Sequence, residues 1–152
     1  MYSKTFIAGW GETDFNSHMR NTAYLDRSAD VRMMFFADNG FPMSEFMTRR
    51  FGPVVMKDEI EYFREVPLLG EFTVTFALAG LAEDGSRMVL RNEFSLADGK
   101  RIARVTSTGG WLDLAARKLI RPPEALMAVL RTLDRTDDYR QLPSSIKGMA
   151  PA

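Results

Sequence analysis

The spacing of apolar residues changes period twice along the chain, and those changes divide it into elements. Lys4 to Trp10 predicts a short strand. From Thr22 to Asp38, Leu25, Ser28, Val31, Arg32, Phe35 and Phe36 return at helical spacing, with Asn21 as a good N-cap and Asn39-Gly40 as a stop signal. Gly40, Pro42 and Ser44 mark a connector with room for one short helix around Ser44 to Arg50. After Gly52-Pro53 the period becomes two. Val54 to Arg64 reads as a strand, and Phe72, Val74, Phe76 and Leu78 alternate with Glu71, Thr73, Thr75 and Ala77. Glu83-Asp84-Gly85-Ser86 turns the chain into a further face of Met88, Leu90, Phe94 and Leu96, interrupted by Asn92. Asp98-Gly99 is a hairpin signal leading into Arg101 to Leu114. Short turns join these three runs, which predicts an antiparallel meander. Pro122-Pro123 then opens a short amphipathic helix carrying Leu126, Met127, Leu130 and Leu133.

Strand, long helix, then four strands is an α+β order, with the helix lying on one face of the sheet. No internal repeat or linker divides the chain, so residues 1–138 are expected to form one domain. Beyond Asp134 the sequence turns polar and contains Pro143, Ser144, Ser145, Gly148 and Pro151. Loose packing is expected there, with residues 139–152 as a poorly structured tail.

Composition narrows the chemistry. The 152 residues leave room for a real core, and 20 basic against 20 acidic residues give no net field to attract nucleic acid. Apolar runs such as Met33 to Ala37 are far too short to insert in a membrane. Met1-Tyr2-Ser3-Lys4 lacks the apolar core of a signal peptide, so a cytoplasmic location is expected. With no cysteine and one histidine, thiol nucleophiles, disulfides, thiolate metal sites and histidine-rich zinc sites are excluded. No metal or cofactor is expected.

The candidate chemistry gathers in Trp10 to Asn21, where a carboxylate, the only histidine and an amide meet at the entrance of the long helix. Helix N-termini present N–H groups that can hold developing negative charge. A Ser-His-Asp triad would need His18, whose neighbour Ser17 is too close in sequence for the usual assembly from separate segments, which leaves only a more distant serine open to it. The economical design left for a hydrolase is a carboxylate acting as nucleophile or as general base on water, and Asp14 is best placed for it. From spacing alone, the commoner role for Asp14 is an Asx-type turn bond, and for His18 a solvated or capping loop position. Tyr24 and the Met33 to Phe36 cluster read more readily as core than as pocket, and Arg117, Lys118 and Arg121 as a solvated basic cluster.

The progression Glu12-Thr13-Asp14, His18, Asn21, Tyr24 and Arg32 resembles the hotdog-fold acyl-CoA thioesterases, specifically the 4-hydroxybenzoyl-CoA thioesterase-like group. The likeness continues through Asp58 to Tyr62, Pro67 to Glu71, Phe94 to Gly99 and Arg117-Lys118 to Pro122-Pro123, covering about residues 3–125 in unbroken order. It implies a hotdog fold, a long central helix wrapped by an antiparallel sheet of about five strands. It also implies edge-to-edge pairing of two subunits, a homodimer or beyond it a homotetramer, with sites at the interface. The implied activity is hydrolysis of an acyl-CoA, or another acyl thioester, to a carboxylic acid and a free thiol without a cofactor. By the same resemblance Asp14, His18 and Asn21 are the catalytic candidates, and Met19, Arg20, Thr22 and Tyr24 the substrate-binding ones. The first helix turn after Asn21 would polarise the thioester carbonyl.

Four positions depart from the group. Ser17 stands where glycine is common, Arg20 replaces the first of paired asparagines, Glu12 replaces an aspartate, and Ala29 occupies a position often held by glutamate. Two other functions fit the same fold. One is a non-catalytic module that binds acyl-CoA, which the altered loop favours and the retained Asp14 opposes. The other is an acyl-thioester hydratase or dehydratase using Asp14 with His18, which the Tyr24 to Arg32 progression fits less well.

Overall fold

Residues with an apolar period of two assemble into one seven-stranded sheet, and the helical run lies across one of its faces. The computed structural model describes residues 1–146. Strand β1 spans Tyr2–Ile7, followed by a single 3-10 turn at Trp10–Glu12 and the long helix α1, Ala23–Asp38. A short helix α2, Met43–Arg49, precedes β2, Phe51–Tyr62, and then β3, Glu71–Ala82; β4, Arg87–Leu96; and β5, Arg101–Asp113. The chain continues with β6, Lys118–Ile120; α3, Glu124–Leu130; and β7, Arg135–Leu142. The sheet runs β1-β3-β4-β5-β2, with β6 added to β5 and β7 to β3. The expected meander is β3-β4-β5, antiparallel throughout. β2 pairs antiparallel with β5 and forms one end of the sheet.

Aromatic side chains fill the space between α1 and the sheet. Phe35 and Phe36 meet Phe76 edge-on with ring centres 5.3 and 6.5 Å apart, and Tyr24 meets Phe94 at 5.2 Å. Trp111 on β5 is fully buried among Phe36, Phe46 and Phe51. Edge-on aromatic pairs are favourable beyond the area they bury, by roughly 0.5–1.5 kcal/mol each. Gly40 ends the helical region with φ of 83°, the left-handed conformation that glycine adopts without strain.

One charge sits inside this apolar layer. Arg32, midway along α1, is buried and donates from Nε to Asn92 Oδ1 at 2.9 Å and from Nη2 to Ser107 Oγ at 2.7 Å. Ser107 donates onward to Asp58, and Asn92 donates to the Thr75 carbonyl at 3.0 Å. Burial pushes the Arg32 guanidinium down to about 10, opposed by Asp58, so it stays charged at neutral pH. The interruption of the β4 apolar face at Asn92 is thus the sheet's answer to this arginine.

Two expectations are corrected. Asn21 does not cap α1: Thr22 occupies the N-cap position in a helical conformation, and among the described residues no side chain caps the helix. The turn before the helix supplies a backbone bond instead, from Ala23 N–H to the Arg20 carbonyl at 3.1 Å. Nor is the chain loosely packed after Asp134. β7 runs parallel to β3 where β1 no longer covers its edge, with Arg140 beside Gly80 and Leu142 beside Ala82. This strand crosses the expected boundary at residue 138. Leu142 packs with Ala79, Ala82 and Val89 in a small second cluster on the sheet face turned away from α1. Ser145 N–H then donates to Ser86 Oγ at 2.8 Å, and Arg91 pairs with Asp138 at 2.7 Å. The rest of the expected tail, with Gly148 and Pro151, lies outside the described residues.

Leu142→Ala is expected to destabilise the protein by about 2 kcal/mol in urea unfolding, the low end for a buried leucine because its cluster is small. A loss below about 0.5 kcal/mol would mean that β7 does not pack in solution.

Candidate active site

The loop between the 3-10 turn and α1 is built around one carboxylate. Asp14 Oδ1 accepts the N–H of Asn16 at 2.8 Å and that of His18 at 3.3 Å. Asp14 N–H donates to the His18 carbonyl at 2.8 Å, and Ser17 N–H to the Asp14 carbonyl at 3.1 Å, closing the loop. The tight return forces Ser17 to φ of 62°, which explains why glycine suits this position. Asp14 therefore does make an Asx-type bond, but through one oxygen; Oδ2 has no protein hydrogen bond among the described residues.

Contacts on both sides hold the loop. Met19 N–H donates to the Val66 carbonyl at 2.8 Å and Leu68 N–H to the Ser17 carbonyl at 3.0 Å, fixing the loop on the β2–β3 connection. Glu12 forms a two-pronged pair with Arg27 of α1 at 2.7 and 2.8 Å and also accepts the Gly9 N–H at 3.1 Å. The Arg27 hydrogen bonds hold the Glu12 carboxyl below the usual range, against the opposing effect of burial. Arg20 is engaged by Thr22 Oγ1 at 3.0 Å and by the Gly11 carbonyl.

A cleft of about 350 Å³ opens beside this loop. Asp14, Met19, Asn21 and Tyr24 form one wall; Tyr62, Phe63, Arg64 and Glu65, from the end of β2 onward, form the other. Tyr62 donates its hydroxyl to the Asn21 carbonyl at 3.1 Å and meets Tyr24 edge-on at 5.4 Å. The Tyr24 phenol is pushed up to about 12 by burial first and then by Tyr62, Glu65 and Asp14, so it stays protonated. His18, Arg20 and Thr22 lie outside the lining. His18 Nδ1 approaches Glu65 Oε2 to 3.2 Å at an angle too poor for a hydrogen bond, which leaves a charge contact when the ring is protonated. The structure thus brings together four of the seven expected site residues. It adds the β2 end, of which only Tyr62 lies in the Asp58 to Tyr62 run picked out in the sequence.

Among the described residues no group of three or more His, Asp and Glu side chains could hold a metal ion, and no helix is long and apolar enough to cross a membrane.

The family model of the thioesterase-like superfamily matches residues 8–130. No curated protein is significantly similar to the chain in sequence. Among solved structures, the chain is similar to a Staphylococcus aureus protein determined in complex with CoA, with 19% identity, TM-score 0.79, and 99% of this chain and 94% of that one covered. It is also similar to a 1,4-dihydroxy-2-naphthoyl-CoA thioesterase from Synechocystis, with 13% identity, TM-score 0.78, and coverage of 87% and 96%. The expected hotdog fold holds, with seven strands in place of about five.

Ser17→Gly is expected to stabilise the protein by about 0.5–1 kcal/mol by relieving the left-handed conformation; a thermal melt no higher than wild type would contradict this. Glu12→Gln is expected to cost about 1–3 kcal/mol at pH 7. A carboxyl held low in the folded state stabilises above its unfolded value and loses that contribution as pH falls through the folded one. The gap between wild type and Glu12→Gln should therefore shrink below the carboxylate range, and a constant gap in unfolding measured from pH 7 to pH 3 would refute the clamp.

Proposed function

Because the chain belongs to the thioesterase-like superfamily, its reaction class is thioester hydrolysis, and we propose that its substrate is an acyl-CoA cleaved beside Asp14. The observation that carries this reading is the divided Asp14 carboxylate, at the mouth of α1: one oxygen is held by two backbone N–H groups, and among the described residues the other is unengaged and no side chain caps the helix. Similarity to a protein solved with CoA supports CoA as the thiol.

In this reading a water molecule beside Asp14 Oδ2 attacks the thioester carbonyl carbon while the carboxylate takes its proton. The free N–H groups of the first turn of α1 hold the oxyanion; a preorganised donor of this kind is typically worth about 3 kcal/mol. Collapse breaks the C–S bond, and the proton passes to the CoA sulfur, giving the carboxylic acid and the free thiol. The same placement serves direct attack by Asp14, which would form an acyl anhydride that water then opens. His18 acts as a positioning residue, through its N–H on Asp14 and its contact with Glu65. Met19, Asn21 and Tyr24 face the substrate, while Arg20 and Thr22 hold the loop.

The second copy follows from β2. Its outer edge pairs with no strand among the described residues, and Val55 and Met56 are exposed along it. A bare edge of this length is a template for another chain. Pairing two β2 strands about a two-fold axis gives the homodimer and sets each cleft against the partner.

Asp14→Asn is expected to lower thiol release from acyl-CoA by at least about a thousandfold while leaving the unfolding midpoint close to wild type. Turnover equal to wild type would remove Asp14 from the chemistry.

A further inference from the structure

A second cavity, of about 120 Å³, lies between α1 and the start of β2. Its walls are apolar side chains such as Met33, Val54, Val55 and Met88, and Ala29, the smallest side chain at its mouth, leaves it open. Arg32 and Ser107 are its polar members. Arg32 donates through Nε to Asn92 and through Nη2 to Ser107; among the described residues Nη1 makes no hydrogen bond. A guanidinium carries five N–H donors, so this one has capacity left where it borders an apolar cavity. A cavity of this size takes roughly one benzene ring or a short alkyl chain.

Within one subunit the cavity is badly placed to serve its own cleft. Tyr62 at the cleft and Val54 at the cavity are eight residues apart on the extended strand β2, about 26 Å. A two-fold antiparallel pair reverses that separation. With two β2 strands paired about Asp58, Tyr62 of one copy stands opposite Val54 of the other, at the spacing of neighbouring strands. The start of each β2, with its cavity, then lies beside the other copy's cleft.

Resting on the thioesterase reading and on the interface site that comes with it, we infer that this cavity receives a compact acyl group ending in an oxygen acceptor, a carboxylate or hydroxyl, which Arg32 binds. The apolar walls take the methylene groups, and the guanidinium discriminates by the terminal atom. Charge-assisted hydrogen bonds of this kind reject a ligand that lacks the acceptor much more strongly than apolar walls reject a change of one methylene.

The first measurement compares glutaryl-CoA and 5-hydroxypentanoyl-CoA with pentanoyl-CoA on the wild-type protein. A kcat/KM on the order of a hundredfold higher for at least one oxygen-ended substrate is expected; equal or faster turnover of pentanoyl-CoA would overturn the inference. Ala29→Leu fills the cavity mouth from an exposed helical position, so folding should be unaffected, and it should remove that preference. Mixing Ala29→Leu with Asp14→Asn then tests the sharing of the site. After subunit exchange, half the dimers are mixed and each has one intact site, so two nearly inactive preparations should together recover about a quarter of wild-type turnover. No recovery despite exchange would place the cavity in the same subunit's site and refute the sharing. If wild type hydrolyses none of the three substrates on which the comparison depends, the cavity is still tested by NMR titration with glutarate. Shifts at Met33 and Met88 methyls in wild type, absent in Ala29→Leu, would support the cavity independently of turnover; no saturable shifts in wild type would overturn it.

Discussion

Burying the Arg32 guanidinium beneath the sheet would be unfavourable by several kcal/mol if it had no partners, and the partners it has determine where α1 can lie. Asn92 of β4 and Ser107 of β5 must both face the same turn of the helix, and Ser107 must in turn reach Asp58 of β2. Three strands and one helix are thereby brought into a single register. An apolar interface alone would tolerate sliding and rotation of the helix, since Phe, Leu and Met exchange partners at small cost. A set of directional bonds does not. With its middle fixed, the first turn of α1 is carried to the end of β2, where Tyr24 meets Tyr62.

What happens at that first turn depends on how the preceding loop is held. Glu12 grips Arg27 from the α1 side, and the backbones of Ser17 and Met19 grip the β2–β3 connection from the other. Between these anchors the chain has little freedom, and Asp14 is left with one oxygen committed to the loop and the other, among the described residues, without a protein hydrogen bond. The loop role of Asp14 and the catalytic role proposed for it therefore fall to its two different oxygens. In the proposed reaction, preorganisation of this kind would place the charge before substrate arrives.

Much of this was legible in residue order. The helix, the meander and the helix-entrance loop follow from period, turn chemistry and the Asn39-Gly40 stop signal, and Asp14, Met19, Asn21 and Tyr24 do converge on one cleft. The second wall of that cleft was not legible, because Phe63, Arg64 and Glu65 come from a segment whose position depends on long-range pairing of β2 with β5. β7 was missed because its residues are polar and its place in the sheet rests on backbone bonds to β3. The signal lay in the partner: Ala77 to Ala82 is an unbroken run of small and apolar residues without alternation, as expected for a strand covered on both faces. Asn92 looked like a defect in an apolar face until its opposite number, Arg32, was placed across from it.

The two tryptophans divide the molecule into independently visible halves. Trp111 is fully buried amid three phenylalanines, whereas Trp10 is 77% exposed in the turn that leads into the Asp14 loop. Their indoles differ in solvent contact, so emission from Trp111 is blue-shifted and shielded from aqueous quenchers, while emission from Trp10 is red-shifted and quenchable. The protein thus carries a built-in pair of optical reporters, one for the integrity of the core and one for the state of the loop beside the cleft.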